Sequence, residues 1–336
     1  MALLDRKQDT DIRKIDERLK ELKQDEARLD QTIRDYETKL LLKGGPLKDN
    51  PAFERIHKFS IRLLYGIIYV ALILIAAIAS PISLALLLSV FSAVNAYEFY
   101  RMTRVKGSVQ SFLIGIPAAF LFPLSALLGV YGLCIVVFFL IIALCAWFIV
   151  DLRTRIVDIT LTFFGACYTG LLLSSMVFIR NSAGAFEAVE AYGMTFSPSL
   201  IAILLTLGVF ASVWANDSLA YLVGSLIGKH KMVQKISPKK SWEGFWAGIV
   251  GSIIIWYVMS FIPGLNLPVY FALIAGFICG VVGLIGDLVE SRIKRSCGVK
   301  DSGSFIPGHG GMLDRTDSIL MVSSTAYFIL VLGAII

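Results

Sequence analysis

The sequence predicts an all-α integral membrane protein that crosses the bilayer about nine times. Hydrophobic residues make up 57% of its 336 positions, charged residues make up only 17%, and the mean hydropathy is +0.75. Soluble domains are less apolar and more highly charged. The net charge of +6 would favour nucleic-acid binding in a soluble chain. In a membrane protein we attribute it to topology first, and we expect no nucleic-acid partner.

Residues 1–45 predict a cytoplasmic coiled-coil helix. Their apolar positions alternate in steps of three and four, and the charged Glu26 fills the one missed core position. An amphipathic helix lying on the membrane is the alternative, which the mixed charges of the polar face disfavour. Gly44-Gly45-Pro46 stops this helix, and residues 46–58 form a linker. The opening residues are too charged to contain a secretion signal, so we expect the N-terminus to remain in the cytoplasm.

Residues 59–336 contain nine apolar segments, each close to the ~20 residues that cross a bilayer as a helix. The first five form an N-terminal transmembrane bundle, residues 59–180, and the remaining four belong to a C-terminal region, residues 181–336. In the bundle, we interpret Asn95, Glu98 and Arg101 as interfacial pairing residues near the inner surface. The nine segments are 59–80, 82–99, 110–129, 131–150, 156–180, 198–223, 243–262, 268–290 and 316–336.

Positive charge separates the connections between these segments into two sets. With the N-terminus inside, the inside loops carry 15 Lys or Arg residues, and the outside connections carry Arg180 alone. This distribution is expected because cationic loops are retained in the cytoplasm. The loops 228–242 and 291–315 are the most motif-rich and both fall on the inside. We therefore expect a multi-pass protein of the cell's inner (plasma) membrane with its site on the cytoplasmic side.

The polar stretch from Gly286 to Asp317 indicates a metal ion and phosphate groups. Asp287 and Glu290 end the eighth segment, and Asp314 and Asp317 lie three apart at the entry to the ninth; each pair shares one helix face. Glycines in this stretch allow close backbone approach. The alternative is a cytoplasmic loop whose cations only fix topology. Between Asp287 and Asp317 lie the polar residues and glycines Lys294, Arg295, Lys300, Gly303, Gly308, His309, Gly310, Gly311 and Arg315.

The sixth segment carries a polar motif inside an apolar helix. Asn216, Asp217 and Ser218 are consecutive there. A carboxylate at that depth is unfavourable unless it is paired, bound to metal or hydrated. A functional role for Asp217 is therefore favoured, with structural pairing as the alternative.

The loop after the sixth segment reads S-P-K-K-S-W-E-G from Ser237 to Gly244. Ser237 and Pro238 interrupt regular helical structure. A new helix begins at Ser241 or Trp242, where free N–H groups favour an anion. The two lysines at positions 239 and 240 supply point charges to phosphate groups. Cations that only hold the loop inside would explain the lysines but not the whole motif.

The run SRIKRSCGVKDSGSFIPGHGGMLDRTD, from Ser291 to Asp317, resembles the signature of the phosphatidate cytidylyltransferases. The N-D-x-x-A-Y-x-x-G element beginning at Asn216 and the S-P-K-K-S-W-E-G loop resemble elements of the same family in the same order. The resemblance covers about residues 214–317. The predicted coiled coil departs from the family pattern, and we expect it to affect partners and regulation, with a homodimer as the simplest outcome.

The resemblance implies transfer of a cytidylyl group from CTP to phosphatidate in the lipid bilayer, giving CDP-diacylglycerol and pyrophosphate. It also implies Mg²⁺, for which Asp287 and Asp314 are the first choice of ligands. Asp217, Glu290 and Asp317 would complete a second cation site or orient the first. The residues expected to contact phosphates or the nucleotide are Ser237, Lys239, Lys240, Ser241, Lys294, Lys300, His309, Gly310, Gly311 and Arg315.

Other functions fit less of the sequence. A CTP-dependent polyprenol kinase would need to activate a hydroxyl group, and the complete H-G-G-x2-D-R-x-D ending argues against it. The D-G-x2-A-R motif of CDP-alcohol phosphotransferases is absent from the sequence. A cation transporter would use Asp217 and Asp287 along an ion path but would not need the lysine-rich loop. A membrane anchor for the coiled coil is the remaining alternative.

Overall fold

The computed structural model describes residues 51–104, 107–303, 305 and 310–336, together with Arg28, Gln31 and Thr32, which are helical. Apart from those three residues, the predicted coiled coil lies outside the described part of the chain. His309 also lies outside it. The chain clusters into two units, Met1–Ile61 and Arg62–Ile336. The second unit contains the candidate site.

The described chain is mainly helical, which confirms the predicted helical class. Its helices are α1 (Pro51–Ala79), α2 (Pro81–Arg104), α3 (Phe112–Ser125), α4 (Gly129–Val150), α5 (Ile156–Ala166), α6 (Leu172–Arg180), α7 (Pro198–Ile227), α8 (Trp242–Met259), α9 (Val269–Ser296) and α10 (Leu313–Leu332). A π-helical turn, Cys167–Leu171, joins α5 to α6, and 3-10 turns cover Ala126–Leu128 and Ser182–Ala185. The all-α prediction missed two short antiparallel hairpins, formed by β1 (Val189–Ala191) with β2 (Met194–Phe196) and by β3 (Lys231–Val233) with β4 (Ser237–Ser241).

Seven segments of the described chain are long and apolar enough to cross a membrane, so a polytopic membrane protein is confirmed. Two features account for the difference between these seven segments and the nine that the sequence predicts. The apolar part of α1, Leu63–Ala79, is shorter than the others, and α3 and α4 form one apolar run of 39 residues. Gly129 separates α3 from α4 with a φ of +73°, a left-handed conformation that glycine adopts without strain. The count of nine therefore stays a prediction.

The helices that carry the polar motifs pack closely because α9 presents glycines to its neighbours. A Cβ atom at Gly276 would lie 2.6 Å from the Cα atom of Ile253 on α8, and one at Gly280 would lie 2.9 Å from the Cα atom of Ile249. Near the other end of α9, a Cβ at Gly286 would lie 2.7 Å from the carbonyl oxygen of Asp317 on α10. Small residues let membrane helices approach to backbone contact. This packing places the polar ends of α9 and α10 side by side.

The predicted helix start after the S-P-K-K-S loop is confirmed. Helix α8 begins at Trp242, and the Ser241 hydroxyl accepts a hydrogen bond from the Gly244 N–H at 3.2 Å. Serine is a favoured residue at this capping position because its oxygen satisfies a free N–H of the first turn. The preceding residues form the β3–β4 hairpin rather than an irregular loop. This hairpin fixes the lysine-rich strand against the start of α8.

We predict that Gly276→Val destabilises the protein in detergent, by roughly 1–3 kcal/mol, because the added side chain must displace the α8 backbone. Thermal unfolding followed by circular dichroism measures the effect. Gly66→Val is the matched control, since a Cβ at Gly66 meets no atom within 4 Å. Equal unfolding temperatures for the two variants would contradict the close α8–α9 contact.

Candidate active site

An open pocket of about 800 Å³ lies among the polar ends of α7, α8, α9 and α10 and the β3–β4 hairpin. Its wall combines carboxylates, cations and small residues from all five elements. The structure brings together nine of the predicted site residues here: Asp217, Lys239, Lys240, Ser241, Asp287, Lys294, Asp314, Arg315 and Asp317. Residues separated by up to 100 positions in sequence therefore share one cavity.

Five predicted site residues lie outside the pocket wall. Ser237 begins β4 and pairs with Val233, and Lys300 is exposed next to the wall residue Asp301. Glu290 is fully buried. The remaining two, Gly310 and Gly311, precede α10, and Gly310 has a φ of +86°. These glycines shape the turn that enters α10.

The structure adds wall residues that the sequence analysis did not assign to the site, including Tyr221, Ser225, Lys231, Asp301 and Ser318. A signal for Tyr221 was present, because it lies four residues after Asp217 and so shares its helix face. Asp301 follows the predicted Lys300 directly. Lys231 could be placed only once the hairpin pairing was known.

Three carboxylates face one another across the pocket. Asp217 comes from α7, Asp287 from α9 and Asp317 from α10, and their charges are close enough to repel. Asp317 accepts a hydrogen bond on its Oδ1 atom from the Ser318 N–H at 2.8 Å. Lys240 places its ammonium nitrogen 2.7 Å from the Oδ2 atom of Asp287. The group is therefore a concentration of negative charge that only part of the cationic wall offsets.

Lys240 has capacity for a further anionic partner. Its side chain is largely buried, with 17% of its area exposed. Apart from the ion pair with Asp287, no atom in the described part of the chain accepts a hydrogen bond from its ammonium group. A buried ammonium group favours several acceptors. The unused N–H groups in this pocket are suited to phosphate oxygens.

Lys294 joins two carboxylates on different helices. Its ammonium group forms an ion pair with Glu290 on its own helix and lies 2.6 Å from the Oδ1 atom of Asp314 on α10. The other oxygen of Asp314 accepts hydrogen bonds from the N–H groups of Ser302, at 3.1 Å, and Gly311, at 2.8 Å. Both Asp314 oxygens thus hold neighbouring protein groups. Asp314 closes the loop between α9 and α10.

The β3–β4 hairpin is fastened to the start of α8 by Glu243. Its carboxylate accepts a hydrogen bond from the His230 N–H at 3.1 Å and lies 2.6 Å from the Nδ1 atom of that residue. The Trp242 N–H donates to the His230 carbonyl at 2.9 Å. His230 precedes β3, and Trp242 and Glu243 follow β4, so these contacts hold the open end of the hairpin in place. Lys239 and Lys240 lie on β4 next to this end.

The carboxylates of the pocket fit a magnesium ion only if substrate phosphate oxygens supply further ligands. Within the ranges that the structure describes, no group of three or more His, Cys, Asp or Glu residues is arranged to hold a metal ion. Mg²⁺ is usually bound by one or two carboxylates together with phosphate oxygens and water. Asp217, Asp287 and Asp317 offer such oxygens. Asp287 also has a partner on each oxygen, Ser291 at 3.2 Å and Lys240 at 2.7 Å, but both partners are side chains that can turn away. Asp314 is less suited because it accepts from fixed backbone N–H groups as well as from Lys294, and Glu290 is buried against the same lysine.

Sequence comparison connects this pocket to known proteins. The cytidylyltransferase family matches residues 60–332. The chain is 30% identical over 277 residues to the phosphatidate cytidylyltransferase of Bacillus subtilis, covering 81% of this chain and 97% of that protein. It is 49% identical over 113 residues to the Staphylococcus haemolyticus enzyme of the same name, covering 34% and 44%. For the Synechocystis enzyme of that name, the values are 36% over 195 residues, covering 53% and 64%. Every pocket residue lies within the family match.

We predict that Lys294→Met lowers the free energy of unfolding by about 3–5 kcal/mol, because it leaves the buried Glu290 without its cation. Adding Glu290→Gln to this variant should restore part of the stability, since the uncompensated charge is removed. Denaturant unfolding in detergent measures both variants, with the exposed Lys300→Met as control. Equal stability of the single and double variants would show that Glu290 does not depend on Lys294.

Proposed function

The chain belongs to the cytidylyltransferase family, and we infer from this membership that it transfers the cytidylyl group of CTP to phosphatidate. The products are CDP-diacylglycerol and pyrophosphate, which makes the protein a nucleotidyltransferase of phospholipid biosynthesis. The Bacillus subtilis relative, 97% of whose length this chain matches, is named for that activity. The observation that carries the proposal in the structure is the pocket itself, where Asp217, Lys240, Asp287 and Asp317 converge from four elements.

The reaction needs no side chain as nucleophile. The attacking atom is an oxygen of the phosphatidate phosphate, which is largely dianionic at neutral pH because its second pKa is near ~6. This oxygen forms a bond to the α-phosphorus of CTP, and the bond from that phosphorus to the bridging oxygen breaks. Pyrophosphate leaves with the electron pair. The protein must align two anions and stabilise charge on the leaving group.

The cations of the pocket are placed for this task. Lys240 has unused donors, Lys239 is exposed on the same strand, and Arg315 lies at the start of α10. Lys294 forms ion pairs with two carboxylates, and these contacts fix its position in the pocket wall between α9 and α10. We assign phosphate binding to Lys239, Lys240 and Arg315 first. Lys294 contributes a fixed positive charge beside them.

We assign Mg²⁺ to Asp287 together with one of Asp217 and Asp317, with substrate phosphate oxygens and water as the remaining ligands, and this changes one part of the sequence-based assignment. Asp314 was a first choice with Asp287, but its oxygens accept from Lys294, Ser302 and Gly311. When bound, the ion would neutralise phosphate charge and polarise the phosphorus under attack.

The membrane arrangement follows the charge distribution. We propose nine spans with the N-terminus in the cytoplasm, because 15 of the 16 Lys and Arg residues in the connections then lie inside. The pocket includes wall residues from both motif-rich loops. In a plasma-membrane protein of this topology, it would open to the cytoplasm, where CTP is found. A homodimer held by the predicted coiled coil of residues 1–45 belongs to the same proposal.

The proposed reaction is tested with purified protein, CTP, phosphatidate and Mg²⁺, with pyrophosphate release as the measurement. Asp287→Asn should reduce release by at least about 100-fold, because a carboxylate that faces the reacting phosphates is lost. Asp151→Asn is the matched control, an exposed carboxylate in the α4–α5 connection. Removal of divalent metal with a chelator should abolish release.

Each other outcome points to a different function. Turnover with a polyprenol but not with phosphatidate would indicate a lipid kinase. Cation flux in liposomes without any nucleotide turnover would indicate a transporter. Full activity of Asp287→Asn would remove this residue from the metal site while leaving the reaction established.

We further predict that Lys240→Gln raises the KM for CTP by about tenfold or more, since a charge-assisted contact to phosphate is worth ~1.5–3 kcal/mol. Initial rates over a range of CTP concentrations measure the change. Lys235→Gln, in the turn of the same hairpin and outside the pocket wall, should leave KM unchanged. Equal KM values for the two variants would argue that Lys240 serves only as the partner of Asp287.

A further inference from the structure

Glu98 is a buried carboxylate on α2, in the half of the chain where the sequence showed no chemistry. Only 3% of its area is exposed. Its Oε1 atom accepts a hydrogen bond from the Met312 N–H at 3.0 Å, and its Oε2 atom accepts from the Leu313 N–H at 2.9 Å and the Ser302 hydroxyl at 2.9 Å. The sequence analysis treated it as an interfacial residue. Its contacts instead lie in the loop that enters the candidate site.

The two backbone contacts provide the N-terminal cap of α10. The first N–H groups of a helix have no partners within that helix, and the capping position is occupied by Met312, which has no strong acceptor atom. Glu98 supplies the acceptor from another helix. Its negative charge also interacts favourably with the positive end of the helix dipole. Glu98 therefore fixes where α10 begins.

Glu98 and Asp314 hold the same loop from two sides. Ser302 donates its hydroxyl to Glu98 and its N–H to Asp314. Glycines make this approach possible: a Cβ at Gly303 would lie 2.5 Å from the Oε1 atom of Glu98, and a Cβ at Gly311 would collide with Ser302 and Glu98. Two glycines of the signature are thus explained by contact with a residue outside it.

A second contact from α2 reaches the next turn of α10. Asn95, three residues before Glu98, donates from its Nδ2 atom to the Thr316 hydroxyl at 2.8 Å. Asp314, Arg315 and Asp317, which line the pocket, lie on these same first turns. The contacts of α2 therefore determine the position and rotation of the α10 segment that enters the site.

We propose that Glu98 is a positioning residue of this active site: it sets the start of α10 and the returning loop, so that Arg315 and Asp317 face the pocket. This inference rests on the proposed function for its kinetic part. Its structural part stands on the contacts of Glu98 alone.

The test compares Glu98→Gln with wild type by hydrogen exchange and by pyrophosphate release. Glutamine has nearly the same shape, but its NH₂ group faces a donor and leaves at least one N–H or O–H group unpaired. Exchange of the 311–313 amides should accelerate, and kcat should fall about 10- to 100-fold, as for other residues that hold active-site groups in place. Ser92→Ala is the matched control, a buried polar residue on α2 that should change neither measurement.

A second variant keeps the test decisive if Glu98→Gln folds poorly. Ser302→Ala removes one of the three donors and should lower kcat by a smaller factor. In a double variant the two effects should not add, because the substitutions remove a shared contact. Where Glu98→Gln folds, additive effects would contradict the proposed contact. Where it does not fold, unchanged kcat and unchanged exchange of the 311–313 amides in Ser302→Ala alone would contradict it.

Two results would overturn the proposal. One is unchanged exchange and unchanged kcat in Glu98→Gln. The other is a uniform loss of amide protection across all helices, which would indicate a general stabilising role. If wild type itself releases no pyrophosphate from phosphatidate, the proposed function fails, whereas the exchange measurement still tests the position of Glu98.

Discussion

Lys294 lies between Glu290 on its own helix and Asp314 on α10, and this ion-pair group joins the two helices that frame the pocket. Glu290 is fully buried, so removal of the lysine would leave a buried charge without its cation. Asp314 extends the connection to Gly311 and Ser302 in the returning loop. The position of the pocket wall thus depends on electrostatic contacts that form only when α9 and α10 are side by side.

The pocket wall carries five acidic and five basic residues, so its own charges balance. A nucleotide triphosphate and a lipid phosphate add several negative charges to this space. The balanced wall cannot neutralise them alone, because much of its positive charge is already paired, as Lys240 is with Asp287. A divalent cation beside Asp287 would offset this excess and release Lys240 to a phosphate. The charge balance therefore supports both the metal and the anionic substrates.

Sequence alone predicted most of this arrangement, because polar residues in apolar helices are conspicuous. Asp217 stood out for that reason, whereas Asp287 and Asp317 were noticed as members of the carboxylate pairs that flank a polar loop. The serine cap at Ser241 followed from its motif. The membrane helices were predicted because their apolar segments are long enough to cross a bilayer. Register within the S-P-K-K-S loop could not be predicted, since Pro238 and consecutive lysines are unusual in a strand. The structure pairs Lys231 with Ser241 and Val233 with Ser237, and the contact between Glu243 and His230 lies beside this pairing.

Glu98 shows a different limit of sequence reasoning. A carboxylate near the end of a membrane helix is usually explained by contact with water or with a nearby cation, and its spacing to Asn95 and Arg101 fits that explanation. Its partners are backbone N–H groups more than 200 positions away, and backbone donors leave no pattern in a sequence. The glycines at 303 and 311 were visible, but flexible turns explain glycine equally well. Only the three-dimensional contacts show that these glycines leave space for a carboxylate.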